Sequence, residues 1–261
     1  DPLFAMRAYK FVRKAAPAGR MRRRSPFSRV RKSVKRFTSP ARRRKVVQVI
    51  YDVTAKMEAI RRSQRRSAAG PDRPRVLFAS EWRTVLEGNL LAVRDRMVER
   101  SLDKQLDLRY STRVGPTATS RSYLRLVQEL ARADIVLLDD YFPPLGNLQL
   151  KPACRIIQVW HAGSGFKNVG YSRFGKLGSP GLTTSHRKYT YAVTASRHLK
   201  HVYAEVFGIE EEAVIPTGLP RIDTFLDPAA QADARALAYE AYPALRGKRV
   251  IMFAPTFRGS G

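Results

Sequence analysis

The run Ile135-Val136-Leu137-Leu138, four consecutive apolar residues closed by Asp139-Asp140, constrains the fold more than any other feature of the chain. A strand with one wet face alternates apolar and polar residues, whereas a strand that is apolar at every position has both faces covered. The same texture recurs in Val76-Leu77-Phe78-Ala79 and in Ile156-Ile157. Strands are expected at 75–80, 106–110, 135–138, 155–160, 191–195, 213–216 and 249–254. Amphipathic helices are expected between them at 84–101, 120–133, 196–207 and 229–241. Unalternating strands separated by helices imply an α/β, Rossmann-like parallel sheet. Ligands of such sheets sit beyond the carboxyl ends of the strands, so those ends are where function is sought. No internal repeat interrupts the pattern.

Charge divides the chain. Its 261 residues carry 49 Lys and Arg against 22 Asp and Glu, a formal net charge of +27. Residues 1–70 hold 22 basic and 3 acidic side chains, and residues 71–261 hold 27 and 19. A basic arm therefore precedes an ordinary domain. A wholly disordered protein is excluded, because 44% of the residues are hydrophobic and their runs are separated by turn residues. In the arm, Arg22-Arg23-Arg24 and Arg42-Arg43-Arg44-Lys45 repel compact packing, so order is not expected before residue 45. After it Val46, Val47, Val49, Ile50, Val53, Met57 and Ile60 recur at helical spacing, with Lys56, Arg61 and Arg62 nearby. One reading is a helix packed on the domain with a solvated basic face. Another is an interfacial helix whose apolar stripe enters the headgroup zone while its bases meet an anionic membrane surface. A third is nucleic-acid binding. Ser67-Ala68-Ala69-Gly70-Pro71 reads as a linker.

No run of 18 apolar residues is present, and the first residues lack the apolar stretch of a secretory signal. Without an initiator Met, the chain is expected to be a piece of a longer protein. Cys154 is the single cysteine, and no Cys/His cluster has zinc spacing, so neither an internal disulfide nor a metal is expected and the compartment reads as reducing and cytosolic. Asp139-Asp140 does not change this, because adjacent strand positions point to opposite faces.

The most informative strand end is Trp160-His161-Ala162-Gly163-Ser164-Gly165-Phe166-Lys167. Small residues let backbone N–H groups approach a phosphate, Lys167 can neutralise it, and His161 stands where a proton can be moved. Gly163 and Gly165 do not complete a dinucleotide fingerprint, and no Gly-Lys-Ser/Thr phosphate loop exists. Alone, each ingredient is weak, and a histidine at a strand end is commonly structural.

Together with Asn168-Val169-Gly170-Tyr171, this stretch resembles the Trp-His-Gly/Ala motif of the CDP-glycerol glycerophosphotransferase family, the teichoic acid primases and polymerases. Three further matches follow in the family's order: Tyr189-Thr190-Tyr191 with Ala195-Ser196, then Pro216-Thr217-Gly218-Leu219-Pro220-Arg221-Ile222-Asp223, then Ile251-Met252-Phe253-Ala254-Pro255-Thr256-Phe257-Arg258-Gly259. The resemblance runs from about residue 75 to 261. It implies the acceptor-side half of a two-domain GT-B fold preceded by a basic helical arm. The divisions are then an arm with a membrane-surface helix at 1–70, an acceptor-side domain at 71–247, and at 248–261 the opening strand of a donor-nucleotide domain that is mostly absent.

The implied reaction transfers glycerol phosphate or ribitol phosphate from CDP-glycerol or CDP-ribitol to the hydroxyl end of a lipid-linked polymer, with CMP leaving and no cofactor. The implied place is the cytoplasmic face of the bacterial membrane. The resemblance assigns His161 as general base, and Gly163, Ser164, Gly165, Lys167, Arg221, Thr256 and Arg258 to substrate phosphates. Arg221 has an equal structural reading as an exposed residue capping the helix that follows Pro220. Ala162 departs from the glycine that many relatives carry there. Two competing readings are a nucleic-acid-binding module, which explains the arm but not the His161 loop, and a GT-B sugar transferase, which differs in using a UDP-sugar.

Overall fold

In the computed structural model, which describes residues 39–69, 73–115, 119–163, 168–175 and 185–253, six strands form one parallel sheet. They are β1 Arg75–Ser80, β2 Asp107–Thr112, β3 Ile135–Leu138, β4 Arg155–Gln158, β5 Tyr191–Val193 and β6 Val214–Ile215, in the order β2-β1-β3-β4-β5-β6. The order reverses between β1 and β3, which makes their carboxyl ends the topological switch point. Alternate residues of β1 enter opposite layers. Leu77 and Ala79 join Leu126, Leu130, Val136 and Ile156, while Val76 and Phe78 join Leu90, Leu137 and Val159. This is why the strands read as continuous apolar runs.

Helix α2, Gly88–Glu99, covers one face through buried Leu90. Helix α3, Ser120–Arg132, covers the other through Leu126, Val127, Leu130 and Ala131, and its Thr119 hydroxyl accepts from the Ser122 N–H at 3.2 Å to cap its start. Each fully buried leucine contributes roughly 1.5–3 kcal/mol. Helix α4 spans Lys200–Phe207, α5 Ile222–Leu226 and α6 Pro228–Ala241.

The arm's helix, α1, spans Pro40–Ala69 and so begins inside the basic run expected to lack order. Pro40 stands at its first turn, and the Ser39 hydroxyl accepts from the Arg42 N–H at 3.3 Å. The linker expected from Ser67 is still helical through Ala69, and residues 70–72 lie outside the described residues. One face packs on α3. Tyr51 is buried in the shared core, and its hydroxyl accepts from the Lys151 N–H at 3.0 Å. The Gln48 amide exchanges two hydrogen bonds with the backbone of Gln149, at 3.0 and 2.8 Å. Arg62 grips both carboxylate oxygens of Asp134 at 2.8 and 2.7 Å. A boundary at residue 70 therefore does not separate α1 from the sheet, because the helix supplies part of the core. Its other face leaves Val46, Val49, Val53, Met57 and Ile60 each half exposed or more.

By its own contacts the chain divides after Ile222, where one compact unit ends and a second begins at Asp223. Helix α6 buries none of its residues. The strand expected at 249–254 is not formed over 249–253, and Ile251, Met252 and Phe253 are fully exposed. No described strand offers this segment a ladder. A lone extended segment cannot pair its N–H and C=O groups.

Candidate active site

The expected strand 155–160 ends early, at Gln158, because Trp160 takes a left-handed backbone conformation with φ of +50°. For a bulky L-residue this costs roughly 1–2 kcal/mol. The turn swings the next side chain out of the sheet plane. The Trp160 ring is buried edge-on against Phe207 at 5.3 Å, and the His161 ring lies over it at 4.5 Å with 25° between planes.

His161 Nδ1 lies 2.9 Å from the carbonyl oxygen of Asp139, at the end of β3. A carbonyl can only accept, so Nδ1 carries the proton and Nε2 of the neutral ring is left with its lone pair. The Asp140 carboxylate stands 3.9 Å from the same nitrogen. The Asp139 carboxyl faces the other way, paired with Arg83. Burial raises its pKa against the opposing pull of that guanidinium. Asp139 and Asp140 thus have different partners, Arg83 and the neighbourhood of His161.

The loop after His161 is held by its carbonyls. The Asn89 amide donates to the Trp160 oxygen, Arg221 Nη2 donates to the His161 oxygen at 2.8 Å, and the Tyr203 hydroxyl donates to the Ala162 oxygen. Asn89 Oδ1 also accepts from the Arg221 N–H at 3.0 Å. Gly163 is closely approached, since a Cβ there would stand 3.2 Å from Leu219 Cδ1 and the leucine side chain would have to give by a few tenths of an ångström.

Of the residues singled out from sequence, the fold brings together His161, Gly163 and Arg221. Ser164, Gly165, Lys167, Thr256 and Arg258 lie outside the described residues. Arg221 is exposed and precedes α5, but its side chain braces the His161 backbone rather than merely capping a helix. Asn89 and Tyr203 were not singled out. Asn89 had a legible signal: it falls three residues after Leu86 and four before Val93, on the apolar face of α2, where a polar side chain needs a partner.

Beneath the site, His186 is enclosed by Phe207, Tyr141 and Tyr189, and its Nδ1 lies 3.1 Å from the Tyr189 hydroxyl. Burial pushes its pKa from 6.5 down to about 4. The unfolded chain then binds a proton that the folded chain refuses. Stability is complete above 6.5 and is lost as pH falls through about 4, by about 3 kcal/mol. Urea midpoints from pH 7 to pH 4 should show this loss, and the His186→Phe variant should lack that component. Parallel curves for the two proteins would contradict the assignment.

The chain belongs to a known family of transferases: residues 61–261 match the family described as CDP-Glycerol:Poly(glycerophosphate) glycerophosphotransferase. The chain is 39% identical over 189 residues to the teichoic acid ribitol-phosphate polymerase TarK of Staphylococcus aureus, a match covering 71% of this chain and 37% of that protein. It is 34% identical over 188 residues to the teichoic acid poly(ribitol-phosphate) polymerase of Bacillus spizizenii, covering 72% and 30%. The chain thus spans about a third of the length of these curated relatives. The solved wall teichoic acid polymerase TagF, as a variant soaked with CDPG, superposes with a TM-score of 0.56 and 17% identity over 90% of this chain and 58% of that one. That likeness is one of fold, and it bears out the α/β, GT-B type architecture expected from the sequence.

Proposed function

We propose that the protein carrying this chain transfers a polyol phosphate from a CDP-alditol to the terminal hydroxyl of a lipid-linked, teichoic-acid-like polymer, and that the Rossmann-like unit described above is the acceptor side. The observation that carries the reading is the Nδ1 bond of His161 to the Asp139 carbonyl at the sheet's carboxyl edge, which in the neutral ring leaves the lone pair on Nε2, and no described residue engages that nitrogen. In the proposed step Nε2 takes the proton of the acceptor hydroxyl as its oxygen attacks the β-phosphorus of the donor. The bond from that phosphorus to the bridging oxygen breaks, and the electron pair leaves with CMP. No cofactor enters the step. Arg221, with one nitrogen on the His161 carbonyl, and Lys167 meet phosphate oxygens, while Gly163, Ser164 and Gly165 let backbone N–H groups approach them. Thr256 and Arg258 are proposed to meet the donor phosphates.

Both relatives named above are ribitol-phosphate polymerases, which favours CDP-ribitol over CDP-glycerol as donor. Incubation with CDP-ribitol, CDP-glycerol or a UDP-sugar, with and without a polyol-phosphate acceptor, tests this. Acceptor-dependent CMP release is expected, largest from CDP-ribitol. UDP release, or CMP release indifferent to acceptor, would overturn the reading. Lys167→Ala and Arg221→Ala should each lower kcat/KM by the worth of one charge-assisted contact, roughly 1.5–3 kcal/mol. Unaltered kinetics for both would remove them from the phosphate site.

The proposed place of action is the cytoplasmic face of the bacterial membrane, bound peripherally. No described helix is long and apolar enough to cross a bilayer. What supports surface binding is α1, whose exposed stripe from Val46 to Ile60 is bordered by exposed Lys45 and Lys56 on one side and Arg61 on the other.

A further inference from the structure

Asn89 makes two hydrogen bonds that no helix needs. It sits in the first turn of α2, directly after Gly88, whose φ of +60° turns the chain into the helix, and it is 2% exposed. Its amide N–H reaches the carbonyl of Trp160, 71 residues away in sequence, and its amide oxygen takes the backbone N–H of Arg221, 132 residues away. Arg221 returns to the next carbonyl, that of His161. One buried amide therefore ties down two successive carbonyls after β4, that of Trp160 directly and that of His161 through Arg221. A strained backbone conformation persists only where its surroundings over-determine it. At Trp160 the restraint on the carbonyl is this amide.

We propose that Asn89 is a positioning residue: by holding the Trp160 carbonyl it keeps that residue left-handed and so holds His161 Nδ1 against the Asp139 carbonyl, leaving Nε2 as the proton acceptor. Released, Trp160 relaxes to negative φ, the following peptide plane rotates, and the imidazole leaves the Asp139 oxygen. Both tautomers then populate. Only an amide does both jobs at this position, because one end must donate to a carbonyl while the other accepts from an N–H. The catalytic consequence rests on His161 being the base. The structural consequence does not.

Asn89→Asp separates the two bonds. It keeps the oxygen that receives the Arg221 N–H and replaces the donor with an oxygen facing the Trp160 carbonyl. The readout is the ¹⁵N spectrum of the His161 ring, at a pH where it is neutral, in this chain with labelled histidine. The wild type should show a single Nδ1–H tautomer, and the variant a mixture or the Nε2–H form. In the protein carrying this chain, the variant should lower kcat by 10-fold to 100-fold with the KM for donor within twofold. An unchanged His161 tautomer in a folded Asn89→Asp protein would overturn the proposal, even where His161→Asn abolishes turnover. An Asn89 that only anchors the Arg221 segment predicts that result, since the acceptor is retained. Should the variant not fold, the wild type decides alone: an Nε2–H tautomer at His161, or Asn89 side-chain protons exchanging as fast as those of an exposed amide, would sink the idea. Turnover surviving His161→Asn, beside a shifted tautomer in Asn89→Asp, would retire the general-base reading and leave the positioning role standing.

Discussion

His161→Asn, in the protein that carries this chain, lowers the single-turnover rate of CMP release by roughly 100-fold to 10,000-fold, the usual contribution of a positioned acid–base group. Donor affinity changes little, since the imidazole addresses the acceptor's proton and not the cytidine. The asparagine amide can still donate one hydrogen bond toward the Asp139 carbonyl, so the loop keeps its brace, but it cannot accept and carry a proton near neutral pH. His161→Gln should behave alike. Melting temperatures measured in parallel separate chemistry from folding. A near-native rate in either variant would show that the histidine only supports the turn before Gly163.

The second large effect concerns α1. Replacing Val49, Val53 and Met57 together by Glu should reduce binding to vesicles of anionic lipid on the order of 100-fold or more, while the melting temperature moves little. Each apolar side chain taken into the headgroup zone contributes up to about 1.5–3 kcal/mol, and each added carboxylate is repelled by the anionic surface. The three side chains are 50% to 58% exposed, so the core does not lose them. Deleting the helix is the poorer experiment, because Tyr51 and the Arg62–Asp134 pair would go with it and α3 would be uncovered. Cosedimentation with vesicles and with duplex DNA distinguishes the surface. Undiminished vesicle binding by the triple variant, or a preference for DNA that survives it, would refute a membrane role for the stripe.

The sheet was legible because its strands are buried on both sides. Ile135–Leu138 is found where its apolar run predicts, and α3 begins at the expected Ser120. Where expectation and structure part, a long-range contact or its absence is responsible. Strand β4 stops short because tertiary partners pin Trp160 in a conformation that local propensity disfavours. The segment 249–253 has every local mark of a strand, and no described strand pairs with it. For helix α1 the pattern leaves three readings, packing on the domain, an interfacial stripe at a membrane, and nucleic-acid binding. The helix has two apolar faces, and helical spacing alone does not assign each to its surroundings. At the site, His161, Gly163 and Arg221 stood out through motif order, whereas Tyr203 works through a hydrogen bond across 41 residues that no local pattern encodes, and the place of Asn89 on an apolar helix face shows that it needs a partner without naming the Trp160 carbonyl 71 residues away.

The three carbonyls of the Trp160 to Ala162 turn are held by side chains lying 71, 60 and 41 residues away. Contacts so distant along the chain are slow to form, because loop-closure entropy is lost before they can repay it. The turn therefore sets an order of assembly. The crossover after β1, the end of β4, helix α4 and the connection after β6 must all be in place before His161 is presented. A kinetic intermediate that has formed the β1–β3 pair but not β6 can have a hydrophobic core and no working imidazole. Trp160, buried in the folded chain and at the centre of this turn, is a natural reporter of that last event.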